Sequence, residues 1–155
     1  MKKVYDTINQ YCVEHELLTN GDGIVIGLSG GMDSVCLLQV LAALRNEWQL
    51  RLVCVHVHHG IRGTAADEDA AFAQRLAAKY NISFRLYEMD IPQLAKEQGL
   101  SEEEAGRNYR YRCFEEVRKE LNFDKIAVAH HRDDQAETVP VSYTHLRAHE
   151  TCADL

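Results

Sequence analysis

A glycine-containing turn between an apolar run and a helical pattern constrains the fold of this chain more than any other feature. Residues 24–28 are apolar and rich in β-branched side chains, and residues 35–41 continue with the periodicity of a helix. Between them, residues 29–34 have the sequence Ser-Gly-Gly-Met-Asp-Ser. Glycines let successive backbone N–H groups converge on an oxyanion, and a helix N-terminus adds partial positive charge. The segment is therefore predicted to form a strand, a phosphate-binding turn and a helix.

This turn differs from two common nucleotide-binding loops. It lacks the lysine of a Walker A loop, and its glycines at positions 27, 30 and 31 do not have the Rossmann spacing. Ser-Gly-Gly-x-Asp-Ser instead resembles the PP-loop of the ATP pyrophosphatases, which holds the β,γ-pyrophosphate of ATP while a substrate oxygen attacks the α-phosphorus. An ordinary strand–helix turn is the alternative. The ATP-binding residues that the resemblance implies are Ser29, Gly30, Gly31, Met32, Asp33 and Ser34.

Composition limits the classes of function. The 155 residues are enough for one domain with a core, and a net charge of −7 argues against non-specific coating of nucleic acid but allows a nucleic-acid substrate. We find no run long enough to span a bilayer and no signal peptide. The five cysteines contain no Cys-x-x-Cys pair, and Cys36 and Cys54 are predicted to be buried reduced thiols. A cytoplasmic protein is expected.

Helical and strand patterns alternate along the chain. Helices are predicted at residues 4–18, 35–48, 65–80 and 101–121, and strands at residues 24–28, 50–57, 82–89 and 125–130. This alternation predicts an α/β fold with a doubly wound, Rossmann-like parallel sheet. Right-handed crossovers favour the strand order 3-2-1-4, and ligands are expected beyond the carboxyl ends of the strands.

Polar clusters follow two of these strands. The second strand ends in His56-Val57-His58-His59-Gly60-Ile61-Arg62, and the fourth ends in His130-His131-Arg132-Asp133-Asp134. Five of the eight histidines are therefore predicted at the edge where substrate binds. A transition-metal site made of these histidines and Asp133 is an alternative that leaves the glycine turn unexplained.

Several motifs in order resemble one family, the tRNA(Ile)-lysidine synthetases. They are His-Val-His-His-Gly-Ile-Arg-Gly at residues 56–63, Ala-Gly-Arg at residues 105–107, and His-His-x-Asp-Asp-Gln-Ala-Glu-Thr at residues 130–138. The resemblance spans residues 22–138. It implies that ATP activates C2 of the wobble cytidine of an isoleucine tRNA with a CAU anticodon, and that free L-lysine then displaces AMP. It also implies the PP-loop (adenine nucleotide alpha hydrolase-like) fold.

The resemblance implies a role for each matched residue. Asp33, with Asp134 or its neighbour Asp133, would hold Mg²⁺, and Arg107 and His130 would neutralise charge on the α-phosphate. The implied catalytic set is Asp33, Arg107, His130 and Asp134, the further ATP-binding residues are His56 and Arg62, and the substrate-binding residues are Glu137, Asp133 and Arg110. Four residues have a structural role as the alternative to ligand binding. Asp133 would cap a helix, Arg110 would form a structural ion pair, and His58 and His59 would orient the loop.

Two other functions are compatible with the loop. The tRNA 2-thiocytidine synthetase group shares it, but relies on Cys-x-x-Cys pairs and usually has lysine at the position of Met32. A non-catalytic nucleotide-binding module is the second. Lysidine synthesis is favoured because this chain has neither the cysteine pairs nor the lysine.

The last residues depart from the family pattern. Residues 1–138 are predicted to form a truncated PP-loop domain, and residues 139–155 a foreign, disordered tail without a strand, because Pro140 interrupts the helix that the family continues there. A sheet without a fifth strand has an uncovered edge. Self-association into a homodimer is therefore a further expectation.

Overall fold

The computed structural model describes residues 18–28, 32–60, 64–130 and 143–147. The helix predicted over residues 4–18 lies almost entirely outside this part of the chain. The strands are β1 (Gly23–Gly27), β2 (Arg51–His58), β3 (Ser83–Glu88), β4 (Lys125–His130) and β5 (Tyr143–Arg147). The helices are α1 (Met32–Trp48), α2 (Thr64–Lys79), α3 (Ile91–Gln98) and α4 (Glu102–Leu121).

The strands form one parallel sheet in the order β3-β2-β1-β4-β5. The predicted 3-2-1-4 order and the doubly wound α/β class are confirmed. β1 lies between β2 and β4, with Gly27 beside Val55 on one side and Val128 on the other. The carboxyl ends of these three strands therefore meet at one edge of the sheet, with the glycine turn following the central strand.

The fifth strand is a correction to the sequence-based prediction. Tyr143–Arg147 pairs in parallel with β4, from Ile126 opposite Tyr143 to His130 opposite Arg147. The expectation that the chain after residue 139 is disordered and lacks a strand is wrong for these five residues, and β4 is not an edge strand. Strand pairing uses backbone groups, so it needs no apolar alternation at the edge of a sheet.

Apolar side chains fill both faces of the sheet. Ile24 and Ile26 of β1 face α1 and α2, where they pack with Leu38 and Leu44. Val25 faces the opposite side. There it joins a second cluster with side chains from β2, α4 and β4: Val53, Val55, Phe114, Val117, Ile126 and Val128. Burial on both faces explains the nearly continuous apolar sequence of these strands.

Helix α3 was not predicted, although its end signals are present in the sequence. Asp90 caps its N-terminus by accepting a hydrogen bond from the Gln93 N–H at 3.1 Å, Pro92 lies in its first turn, and Gly99 ends it in the left-handed conformation. The next helix starts as predicted. The Ser101 hydroxyl accepts a hydrogen bond from the Glu104 N–H at 3.1 Å.

A polar cluster ties β1 to β4 at their amino ends, opposite the predicted site. Lys125 Nζ donates to Asp22 Oδ2 at 2.7 Å, and the same oxygen accepts from the Thr19 N–H at 2.8 Å. Asp22 is buried, so this ion pair is shielded from water. The Gly23 N–H donates to Asp124 Oδ2 at 2.8 Å. These contacts fix the start of the strand that ends at the glycine turn.

The cysteines differ from the prediction at one position. Cys54 and Cys113 are free and buried, as expected for Cys54. Cys36 is disulfide-bonded, so the expectation that it is a reduced thiol is wrong. In the part of the chain that the structure describes, no helix has the length and apolar character needed to cross a membrane.

Candidate nucleotide-binding and catalytic site

The residues on either side of the glycine turn are held in place by the sheet. β1 ends at Gly27 and α1 begins at Met32, so the two elements bracket residues 29–31. The Leu28 N–H donates to Val55 O at 2.9 Å, which extends the pairing of the two strands up to the turn. Ser34, in the first turn of α1, is 1% exposed. The N-terminus of a 17-residue helix thus follows the central strand directly, a placement that suits a phosphate group.

Gly27 lets helix α4 approach this strand closely. A Cβ atom at Gly27 would lie 2.6 Å from Phe114 Cζ, closer than real Cβ contacts allow, and 3.1 Å from Val128 Cγ1, which is a tight contact. The buried Phe114 ring therefore occupies the space that a side chain at this position would fill. In the sequence, Gly27 is notable only for its spacing in the loop, and its packing role was not predicted.

His56 connects the end of β2 to the residue before the turn. Its side chain is buried, and its Nδ1 donates to Leu28 O at 2.7 Å. Because a carbonyl oxygen only accepts, this bond places a proton on Nδ1. The predicted ATP-binding residue therefore lies beside the turn with one ring nitrogen already bonded to the backbone.

His58 is bonded through both ring nitrogens. The Gly60 N–H donates to His58 Nδ1 at 3.0 Å, so Nδ1 carries no proton, and Nε2 donates to Asp67 Oδ1 at 2.9 Å. The ring is buried while the Asp67 carboxylate is largely exposed. His58 thus joins the end of β2 to the first turns of α2. These contacts favour the alternative in which this histidine orients its loop.

His59 packs against helix α4. The distance from its Cε1 to a Cβ atom placed at Gly106 would be 3.3 Å. Its backbone oxygen accepts from the Ile91 N–H at 3.0 Å, which ties it to the start of α3. Burial, then the positive charge of Arg110, lowers the pKa of His59 below its usual value, with smaller contributions from His56 and His58. A neutral imidazole is favoured here.

Helix α4 carries two of the predicted site residues to the same end of the sheet. Arg107 follows Gly106 directly, and its Nη2 lies 3.8 Å from Glu103 Oε1, a carboxylate at the protein surface. Arg110 is one turn further along and is close enough to His59 to lower the pKa of that imidazole. The structure therefore brings Arg110 close to His59, and places Arg107 on the same helix beside Gly106, which packs on that histidine.

For three of the remaining predicted residues the structure describes the backbone, and the others lie outside the described part of the chain. His130 ends β4, whose carboxyl end lies at the same edge of the sheet. Only the backbone is described for His130, Met32 and Asp33. The residues with no described placement are Ser29, Gly30, Gly31, Arg62, Asp133, Asp134 and Glu137.

The described residues do not form the transition-metal site that was considered as an alternative. Within the four described ranges, no group of three or more His, Cys, Asp or Glu side chains is placed to hold a metal ion. His58 has no ring nitrogen left for a ligand bond, because Gly60 and Asp67 occupy both.

Comparison with known proteins decides the family. The model of the PP-loop domain matches residues 2–150. The chain belongs to the PP-loop domain family. Its predicted resemblance to lysidine synthetases is also confirmed. It is 48% identical over 139 residues to a tRNA(Ile)-lysidine synthase of Caldanaerobacter subterraneus subsp. tengcongensis, covering 90% of this chain and 29% of that protein.

A second relative and a solved structure agree. A tRNA(Ile)-lysidine synthase of Clostridium perfringens is 43% identical over 138 residues, which is 89% of this chain and 29% of that protein. The PP-loop domain here thus spans less than a third of the length of these relatives. The U34-tRNA thiolase NcsA of Methanococcus maripaludis superposes with a TM-score of 0.64 at 20% identity, over 82% of this chain and 43% of that one, which shows a shared fold.

Proposed function

We propose that this PP-loop domain uses ATP to activate C2 of the wobble cytidine of an isoleucine tRNA with a CAU anticodon, so that L-lysine is joined to that carbon. The observation that carries the proposal is the 48% identity to a tRNA(Ile)-lysidine synthase along nine-tenths of the chain. The position of the β2 histidines and of Arg110 at the sheet edge where β1 ends supports it.

In the first step the cytidine O2 attacks the α-phosphorus of ATP, an O–P bond forms, and pyrophosphate leaves. Backbone N–H groups at Gly30 and Gly31, with the hydroxyls of Ser29 and Ser34, hold the departing pyrophosphate. The N-terminus of α1 stabilises the negative charge that develops there. The position of this helix directly after the central strand supports that role.

Charge on the α-phosphate is neutralised from the neighbouring elements. Arg107 approaches from α4 and His130 from the end of β4, while His56 and Arg62 bind the nucleotide. Donors fixed before the reaction stabilise the transition state without reorganisation at the moment of reaction. The hydrogen bond from His56 to Leu28 O supports such preorganisation, because it fixes the ring next to the loop.

Mg²⁺ belongs to the proposal through Asp33 and Asp134, whose carboxylates are the hard oxygen ligands that this ion prefers. Bound there, the ion would neutralise phosphate charge. In the sequence, Asp33 follows β1 and Asp134 follows β4, and these two strands end at the same edge of the sheet.

In the second step an amine of lysine attacks C2, the C2–O bond breaks, AMP leaves, and the amine loses a proton. Glu137 binds the ammonium groups of lysine, and Asp133 and Arg110 complete the substrate site. Arg110 lies on the same helix as Arg107, which supports a substrate position that bridges both steps. A cytoplasmic location and a homodimer complete the proposal.

Calorimetry with ATP and Mg²⁺ tests the nucleotide site on the chain itself. We expect saturable ATP binding that is lost in Gly31→Val, because a β-branched side chain opposes the backbone conformations that a phosphate loop needs. Circular dichroism checks that the variant is folded. A folded Gly31→Val chain with unchanged ATP affinity would contradict the phosphate site.

Product analysis tests the reaction. The chain is incubated with ATP, isotope-labelled lysine and a tRNA(Ile) transcript carrying the CAU anticodon, and nucleosides are analysed by mass spectrometry. A transcript with uridine at the wobble position is the matched control. We expect pyrophosphate release and lysidine only with the cytidine transcript. Sulfur incorporation without lysine incorporation would favour the thiolation chemistry instead.

Two variants separate the half-reactions. In a full-length enzyme that contains this domain, Asp134→Asn is expected to lower pyrophosphate release by about 10²–10³-fold, comparable with the loss of one electrostatic catalytic group. Glu137→Gln is expected to weaken the dependence on lysine while sparing adenylation. Equal loss of both half-reactions in Glu137→Gln would contradict the assignment of Glu137 to the amine.

A further inference from the structure

Gly106 is a glycine in the interior of a long helix, where this residue normally destabilises the helix relative to alanine. Helix α4 continues through it without interruption from Glu102 to Leu121. Gly106 is buried, and a Cβ atom there would lie 3.3 Å from His59 Cε1 and 3.6 Å from Ile91 Cγ2. The close approach of the His59 ring therefore accounts for the missing side chain.

The backbone that carries the His59 ring is held on both sides. Its carbonyl oxygen accepts from the Ile91 N–H at 3.0 Å. The next residue, Gly60, has φ +74° and packs so closely that a Cβ atom would lie 2.8 Å from Asp90 Cα. On the other side, His58 is bonded to Gly60 and Asp67. The Cα atom of His59 therefore cannot move away from α4 without disturbing these contacts, and a shift of the ring has to come from side-chain rotation.

The helix that rests on this ring carries the two arginines of the site. Arg107 follows Gly106 immediately, and Arg110 lies one helical turn beyond it. The distance between α4 and the end of β2 at this point therefore decides where both guanidinium groups lie relative to the sheet edge.

We infer that His59 is a positioning residue whose ring, seated on Gly106, sets the position of helix α4 and thereby of Arg107 and Arg110 at the nucleotide site. The effect on ATP rests on the proposed function, whereas the contact between His59 and Gly106 does not. The depressed pKa of His59 agrees with a neutral ring packed beside Arg110.

A double-mutant cycle on the intact chain tests the inference. Gly106→Ala, His59→Ala and the double variant are compared with the unaltered chain by calorimetry with ATP and by urea unfolding. Alanine favours a helix more than glycine does, so Gly106→Ala is expected to fold. Because its methyl group displaces the ring by a few tenths of an ångström, we expect ATP affinity to fall roughly three- to tenfold.

The double variant gives the decisive result. Once the ring is absent, a methyl group at Gly106 has space, so the double variant should bind ATP within about twofold of His59→Ala. Asn108→Ala, an exposed substitution on the same helix, is the matched control for helix propensity and should leave the affinity unchanged. The positioning role would be overturned if the double variant lost ATP affinity by the product of the two single losses. An unchanged ATP affinity in Gly106→Ala would also overturn it.

Urea unfolding tests the contact between His59 and Gly106 independently of the proposed function. If the unaltered chain binds no ATP, the proposed function fails, and the cycle of unfolding midpoints alone decides the contact. In that case Gly106→Ala should lower the midpoint only when His59 is present. A higher midpoint in both backgrounds would show that the ring does not rest on Gly106, and would overturn the inference.

Discussion

The Phe114 ring of α4 lies against Gly27 of β1 so closely that a single methyl group at Gly27 would approach Phe114 Cζ to 2.6 Å. Both residues are buried. This contact lies on the last residue of the strand that leads into the PP-loop. It therefore links the packing of the core to the position of the nucleotide site.

Gly27→Ala is expected to destabilise the chain by about 1–3 kcal/mol, because the new methyl group forces Phe114 or the strand to shift. Urea unfolding measures this change. Phe114→Leu removes the ring atoms in question, so the double variant should be less destabilised than the sum of the two single changes. Additive losses would show that the two residues do not compete for space.

His58 provides a second test of the site's framework. His58→Ala leaves the Gly60 N–H without its acceptor and removes a buried ring, which we expect to cost about 1–3 kcal/mol of unfolding free energy. Asp67→Ala removes only an exposed partner and should cost less than about 1 kcal/mol. Thermal unfolding of both variants measures the difference. Equal losses would mean that the bond to Asp67, not the bond to Gly60, is the important one.

Much of the fold follows from the sequence because its causes are local. Short apolar and β-branched runs predict the first four strands, of which β1, β2 and β4 are buried on both faces, and right-handed crossovers then favour their order. Ser101 was recognised as a cap because its hydroxyl acts within four residues. The edge strand β5 was missed because its pairing depends on the exposed backbone of β4 and not on a pattern in its own side chains.

The sequence predicts which residues belong to the candidate site, but not the contacts between them. The glycine turn, the β2 histidines and the α4 arginines are recognisable as motifs, and parallel strand topology predicts that the first two lie at one edge of the sheet. The packing roles of Gly27 and Gly106 depend on side chains far away in the sequence. No local pattern distinguishes such a glycine from one that allows a turn. Only the tertiary structure shows which partner requires it.

The free thiol at Cys54 should be unreactive in the folded chain. Burial raises its pKa to about 12, while the positive charge of Arg45 opposes the shift. At pH 8 the thiolate fraction is then roughly 10³-fold below that of an ordinary cysteine. Iodoacetamide labelling followed by mass spectrometry should modify Cys54 only after urea unfolding. Rapid labelling of the native chain would contradict its burial in the core.

The stability of the chain should fall in mildly acidic solution through His59. Its folded-state pKa lies below the ordinary value of 6.5, because burial and then the charges of Arg110, His56 and His58 disfavour the imidazolium. Below pH 6.5 the unfolded chain therefore binds more protons at this residue than the folded chain does. The contribution of His59 to stability is present above pH 6.5 and is lost as the pH falls through its folded-state pKa.

Urea unfolding of the unaltered chain and of His59→Gln at pH 7.5, 6.5 and 5.5 isolates this contribution. The glutamine variant lacks the titrating ring but keeps the other histidines, so its unfolding free energy should fall less steeply between pH 6.5 and 5.5. The ring proton of His59 in the NMR spectrum should titrate below pH 6.5. Equal slopes for the two chains, together with titration at or above pH 6.5, would show that the ring is not held neutral against helix α4.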